Sequence, residues 1–230
     1  VDLDGLTYSI SGGSYITATV NGDTVSFDSP DNFNGSEEFV AAVTDGFASH
    51  SQTFTVTVIP VNDDPVLAAV PGVSFDEDSS TSITLSGSDI DGDGLSYSVS
   101  SGSDITASLE GTTITFTAAQ DFYGSEEFTA TVADNLASDS QTFTVTVNAV
   151  NDAPTANATS GDVAEDGSVV ITLSGDDIDG DNLTFTLASD AGDGSVTVGG
   201  SLATYTPNAD YNGDDSFTFT VSDGVAISAP

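Results

Sequence analysis

Apolar residues alternate with Ser and Thr along most of the chain, the period of a strand that buries one face. Between residues 63 and 151 the alternation breaks into seven segments. The first lies between Val66 and Phe75. Ile83 and Leu85 carry the second, Leu95, Tyr97 and Val99 the third, and Ile105, Ala107 and Leu109 the fourth. A tight turn at Glu110–Gly111 leads to the fifth, with Ile114 and Phe116. Phe128, Ala130 and Val132 line the sixth, and Phe143, Val145 and Val147 the seventh. Thr, Val, Ile, Phe and Tyr, which suit a pleated and half-buried surface, dominate these segments. No segment has a helical period.

The pattern repeats. VNDDP at 61–65 returns as VNDAP at 150–154, and Gly35, Gly124 and Gly213 share the same offset of 89 residues. DGLTYSI at 4–10 matches DGLSYSV at 93–99 and DNLTFTL at 181–187. The chain holds about 2.6 periods, each of ordinary domain size. The expected fold is all-β: tandem immunoglobulin-like sandwiches of about seven strands, arranged end to end. The boundaries fall at 1–62, 63–151 and 152–230. The first unit is expected to begin within the loop before its third strand, and the last to stop in its seventh. An aromatic residue precedes the sixth strand in every copy: Phe33, Phe122 and Tyr211. Sandwiches often brace a corner there with a tyrosine, and only Tyr211 has the hydroxyl for it.

Charge changes the picture. There are 37 Asp and Glu residues, one His, and no Lys or Arg, for a net charge of −37. Such a chain repels itself when compact unless its acids are solvated or gathered by a cation. Nucleic acid and anionic lipid are excluded as partners, since both require basic residues. Disorder is the usual reading of extreme charge, but the chain is 37% hydrophobic with strict patterning. Without Cys there is no disulfide framework. No apolar run is long enough to cross a bilayer, so direct membrane insertion is not expected.

The acids concentrate in loops. The loop between the second and third strands reads DIDGDG (Asp89, Asp91, Asp93) and DIDGDN (Asp177, Asp179, Asp181). The sixth–seventh loop opens on Asp45, Asp134 or Asp223, and the first–second loop carries Glu77 within DED. Before the sixth strand lie Glu37–Glu38 and Glu126–Glu127, and the linkers are Asn62-Asp63 and Asn151-Asp152. Sandwich topology gathers these at the joints between repeats. An all-oxygen, mostly carboxylate set suits calcium, whereas zinc would require His or Cys. DIDGDG also matches the start of an EF-hand loop, but its twelfth position is Ser100 and its flanks alternate as strands.

The NDxP linker, the DxDGD loop and the acidic pair before the sixth strand together resemble the cadherin-like repeats of large bacterial surface adhesins. They equally resemble the cadherin repeat itself, in which calcium between domains stiffens a rod. The resemblance implies a first joint using Glu37, Glu38, Asn62, Asp63, Asp89, Asp91 and Asp134. It implies a second joint using Glu77, Glu126, Glu127, Asn151, Asp152, Asp177, Asp179 and Asp223. The third copy has Asp215-Ser216 in place of the paired Glu, so its outgoing joint is expected to bind more weakly.

The expected function is a calcium-rigidified extender of an extracellular or cell-surface adhesin. Its partners would be calcium ions, neighbouring repeats of the chain, and like stalks or cell-surface ligands. The alternative is a carbohydrate- or protein-binding module. Sugar sites favour exposed aromatics, however; the chain has no Trp, most of its Phe and Tyr fall on inward strand positions, and Tyr15 and Tyr123 are the least accounted for by that pattern. Catalysis is not expected, because adjacent carboxylates on a strand face opposite ways and recur once per repeat. His50 stands where the next copy has Asp139, and reads as a surface substitution. The recurring TxT segments suggest an ice-binding array only weakly, since Thr is ordinary on a solvated strand face.

Overall fold

The computed structural model describes residues 5–230, which form strands and turns without a helix. Asp4, the first residue of the DGLTYSI match, lies outside them. The first repeat comprises β1 (Thr7–Gly12), β2 (Thr17–Asn21), β3 (Thr24–Asp28), β4 (Gly35–Thr44) and β5 (Ser49–Val58). The middle repeat opens with β6 (Val66–Leu67), β7 (Val73–Asp76), β8 (Ser80–Thr84) and β9 (Gly87–Ser88). It continues with β10 (Ser96–Val99), β11 (Ile105–Glu110), β12 (Thr113–Ala118), β13 (Gly124–Ala133) and β14 (Ser138–Asn148). The third comprises β15 (Thr155–Asn157), β16 (Val169–Thr172), β17 (Ser174–Asp176), β18 (Thr184–Ser189), β19 (Gly194–Gly199), β20 (Leu202–Pro207) and β21 (Thr218–Ser222). After β21 only an isolated bridge, Ser222 to Ile227, follows.

The middle repeat is a two-layer sandwich. One sheet runs β10-β13-β14-β7 and the other β11-β12-β8. The predicted first strand is split. Its start, β6, pairs antiparallel with β9, and its end, β7, crosses to run parallel to β14. Pro71 and Gly72 separate the halves, and a proline cannot donate to a ladder. Side chains of β14 fill the interruption. Leu67 N–H donates to Asp139 at 2.8 Å and Val70 N–H to Gln141 Oε1 at 3.1 Å, while Gln141 Nε2 donates to Leu67 O at 2.7 Å. The tight turn after the fourth strand lies at Gly111–Thr112, one residue later than predicted, because Glu110 still pairs with Thr113.

The two layers meet on aromatic rings. Phe116 and Phe128 are fully buried and edge-on at 5.4 Å, and Phe143 packs against Phe116 at 6.0 Å. Phe27, Phe39 and Phe54 form the same trio in the first repeat. The corner aromatics cover the glycine two residues on: an added Cβ would meet the Phe122 ring at 3.1 Å at Gly124, which opens β13, and Tyr211 Oη at 3.1 Å at Gly213. Tyr211 donates its hydroxyl to Asp214 O at 2.8 Å, three residues downstream, and not to the upstream backbone that a tyrosine corner would reach.

A carboxylate fixes the loop between the third and fourth strands in each repeat. Glu126 accepts from the N–H groups of Ser103, Asp104 and Ile105, and Glu37 from those of Ser14, Tyr15 and Ile16. Gly102 is required beside it, since a Cβ there would stand 2.2 Å from Glu126 Oε2 and 2.3 Å from Ile105 O. The third repeat solves the same problem with different residues. Asp215 is one methylene shorter, accepts from Gly192 and Asp193 N–H, and also takes the Tyr205 hydroxyl at 3.0 Å. Tyr205 occupies the place of Phe116 and Ala191 that of Gly102. The shorter acid leaves room that the hydroxyl and the methyl use.

The Asp104 N–H, assisted by Ser103 and Ile105 against the opposing effect of burial, holds the Glu126 carboxyl below its ordinary range. A lowered folded-state pKa contributes stability that is complete above the ordinary glutamate value and lost as pH falls through the lowered one. Glu126→Ala is therefore expected to destabilise the middle repeat by about 1–3 kcal/mol, from stranded N–H groups. Glu127→Ala should stay within about 0.5 kcal/mol of the native chain. Denaturant unfolding at pH 7 checks both, and repeating it below pH 4.5 should shrink the difference between Glu126→Ala and the native chain.

Candidate metal centre

Each linker is gripped by the repeat that follows it. Asn62 Nδ2 donates to Asp134 Oδ2 at 2.9 Å, and Asp63 N–H to Asp91 Oδ2 at 2.7 Å. The second linker copies this, with Asn151 on Asp223 at 2.9 Å and Asp152 N–H on Asp179 at 2.8 Å. Pro65 and Pro154, two or three residues on, are buried. The repeat before the second linker grips it as well: Val150 N–H donates to Glu77 Oε1 at 2.6 Å, and Glu77 N–H to Asn148 O.

Asp134 and Asp223 are thereby saturated. Asp134 Oδ1 accepts from Leu136 and Ala137 N–H, and its other oxygen takes Asn62. The Ala137 N–H, then the Asn62 amide and the Leu136 N–H, hold its carboxyl below the ordinary range. At Asp223 the Asn151 amide does so first, followed by the Ala226 and Val225 N–H groups. These residues latch the linker through hydrogen bonds. Glu37 and Glu126 are likewise spent on loop backbone. Glu38 and Glu127, exposed on their strands, belong to no group of clustered acids among the described residues.

Four acid groups remain whose oxygens lie within 4.8 Å of one another. Two sit inside single loops: Asp89, Asp91 and Asp93, and Asp177, Asp179 and Asp181. Two span the second joint: Glu77 with Asp152 and Asp179, and Asp78 with Asp121 and Asp152. The second joint thus draws on the first–second turn and the fifth–sixth turn of one repeat, the linker, and the second–third loop of the next. Burial, then the charges of Asp121, Asp179, Asp78 and Glu77, raise the Asp152 carboxyl above its ordinary range.

Asp78 and Asp121 were not among the expected ligands. Both take the left-handed backbone, at φ 56° and 55°, and Asp121 N–H donates to Asp78 Oδ1 at 3.4 Å. Asp166 and Asp210 repeat this pairing in the third repeat, at 62° and 58° with 3.4 Å between them. The expectation of a weaker outgoing end there rested on Asp215, which instead holds loop backbone. The sequence did carry a signal: Asp121 and Asp210 sit at one offset, as a lone acid just ahead of the corner aromatic.

The donor chemistry fits a hard cation. All ligand atoms are carboxylate oxygens, with no His or Cys among them. Asp89 Oδ2 and Asp177 Oδ2 are buried and have no hydrogen-bond partner, an expensive state for a charged oxygen unless something neutralises it.

Among solved structures, the chain is similar to PcdhgB3 EC1-4, at 15% identity and a TM-score of 0.54 over 94% of this chain and 62% of that one. It is similar to mouse protocadherin-24 EC1-3, at 16% identity and a TM-score of 0.52 over 94% and 83%. These likenesses show the fold. An endo-fucoidan hydrolase of glycoside hydrolase family 107 aligns at 20% identity and a TM-score of 0.34, covering 97% of this chain, which spans 37% of that protein's length. No curated protein matches. The bacterial Ig domain matches residues 62–147 and 151–229, so the chain belongs to the bacterial Ig domain family, with its members in tandem.

Proposed function

We propose that the chain is a non-catalytic segment of an extended extracellular or cell-surface stalk whose joints are stiffened by calcium. The observation that carries this is the meeting of Glu77, Asp78, Asp121, Asp152 and Asp179 around one linker. These residues come from four separate segments, and without a counter-charge their mutual repulsion opposes the geometry. The tandem bacterial Ig domains support the coarser reading of a structural or adhesive extender.

Glu77, Asp78, Asp121, Asp152 and Asp179 would hold calcium across the second joint, and the Asp89 and Asp177 loops would hold it within a repeat. Bound there, calcium supplies charge neutralisation and a shared anchor for two sandwiches. The chain's own part is to present the oxygens. The Asn62–Asp134 and Asn151–Asp223 latches fix where each linker enters the following repeat, and Glu77 fixes where it leaves the preceding one. Extracellular modules bind calcium at about 10⁻⁴ to 10⁻³ M, a range that fills such sites outside a cell and leaves them empty in cytosol.

Calcium at about 1 mM is expected to raise the melting temperature and the maximum dimension seen by small-angle scattering, relative to excess chelator. An unchanged particle and an unchanged melt would sink the stalk reading. Asp152→Asn should melt a few degrees above the native chain in chelator, because a half-buried like charge has gone. It should also lose most of its calcium-induced gain, and differential scanning calorimetry in both conditions reads this.

A further inference from the structure

Three turns hold an apolar side chain out in water by the same device. The acid that opens each sixth–seventh turn accepts two N–H groups from the turn itself. Asp45 takes those of Phe47 and Ala48, Asp134 those of Leu136 and Ala137, and Asp223 those of Val225 and Ala226, all between 2.6 and 2.9 Å. Phe47, Leu136 and Val225 are 93%, 78% and 78% exposed. A single exposed apolar residue is ordinary. One at the same position in all three copies, in a turn that favours Gly, Asn, Asp and Ser, is not. Leu136 belongs to the middle repeat, which has a linker and a repeat on either side, so a missing neighbour does not explain its exposure.

The middle repeat also carries a receptor of matching chemistry. Between the kink of its first strand and β8 lies a cavity of about 330 Å³, walled by Ala68, Ala69, Val70, Pro71, Ile83 and Leu85. Ala68, Ala69 and Pro71 are exposed, so it opens to solvent. β7 and β8, which flank the kink in sequence, are the outermost strands of their sheets. Such edges are usually guarded by charge, yet residues 65–75 and 79–88 contain none of the 37 acids. Asp139 and Gln141 pin the kink through Leu67 and Val70, so the cavity is formed before anything enters it.

We infer that Leu136 of one copy docks in this cavity on a second copy, with a two-fold axis making the contact reciprocal. Both parts are apolar, and neither brings a free charge into the contact. Asp134, two residues before Leu136, already spends both oxygens on hydrogen bonds. Because turn and kink are held beforehand, little ordering is needed on binding. The occupant is a like chain and not a basic partner, since a cationic surface would be drawn to the acid-rich loops and not to an uncharged flank. The charge of −37 on each copy opposes the approach at long range, so salt should strengthen the contact. No metal ion takes part, which separates the contact from the calcium reading.

Sedimentation velocity of the full chain in excess chelator, across protein concentrations and from about 0.05 to 1 M NaCl, tests this. The native chain is expected to form a reversible dimer that tightens as salt rises. Leu136→Ser and Ala69→Asp each change an exposed side chain, and a thermal melt checks that both variants fold. Each should weaken the dimer by about tenfold or more. An equimolar mixture of the two should regain part of the association, because one intact pair of Leu136 and cavity remains. Val170→Ser, at an exposed apolar residue of the third repeat, should change nothing. A chain that stays monomeric at every salt concentration overturns the inference, as does a dimer that salt dissolves. So does a dimer that survives either variant, or a mixture no more associated than its components.

Discussion

With 37 carboxylates and no Lys or Arg, the fold must neutralise its buried and half-buried acids without cationic side chains. Backbone amides do most of that. The acid that opens each sixth–seventh turn receives two N–H groups from the turn itself, as at Asp45 with Phe47 and Ala48. The acid near the start of each sixth strand receives the backbone of the third–fourth loop. A carboxylate supplied with two or three N–H donors is both solvated and structural, because it fixes the segment that solvates it. Most strand acids that face water need no such partner. The acids still unaccounted for after this sorting lie in the second–third loops and at the joint.

That sorting explains why the repeats vary as they do. Where a carboxylate has a backbone role, its surroundings change in concert: Glu126 goes with Gly102 and Phe116, and Asp215 with Ala191 and Tyr205. The number of atoms filling the gap is roughly kept while their ownership changes, as expected of a close-packed interior. At the second joint, Glu77 and Asp179 accept the Val150 and Asp152 N–H groups while also facing other acids. Asn32 can replace an aspartate in the same turn geometry because the left-handed position accepts either residue.

The linker connects these two levels. Asn62 and Asn151 are short amides that could have faced solvent, yet each docks on an acid already held by its own turn. Buried Pro65 and Pro154 then commit the chain to the first strand of the next sandwich. The preceding repeat reaches the same few residues through Glu77, which is only 5% exposed. Hydrogen bonds thus mark where both linkers enter the following repeat and where the second leaves the preceding one.

The sequence by itself determined the sandwich, its period and its seven strands, because alternation and self-similarity are local properties that survive in one dimension. It also located the acid-rich joint, since the NDxP linkers and DxDGD loops recur at a fixed offset. It did not separate the acids that reach that joint from those held elsewhere. Glu126 and Asp121 are both carboxylates near the start of the sixth strand, and nothing in the order of residues tells them apart. Only the tertiary structure showed that Glu126 receives the 103–105 backbone while Asp121 turns toward Asp78 and Asp152. The physical reason is that a carboxylate's role depends on which donors or charges surround it in space, and those donors come from segments tens of residues away.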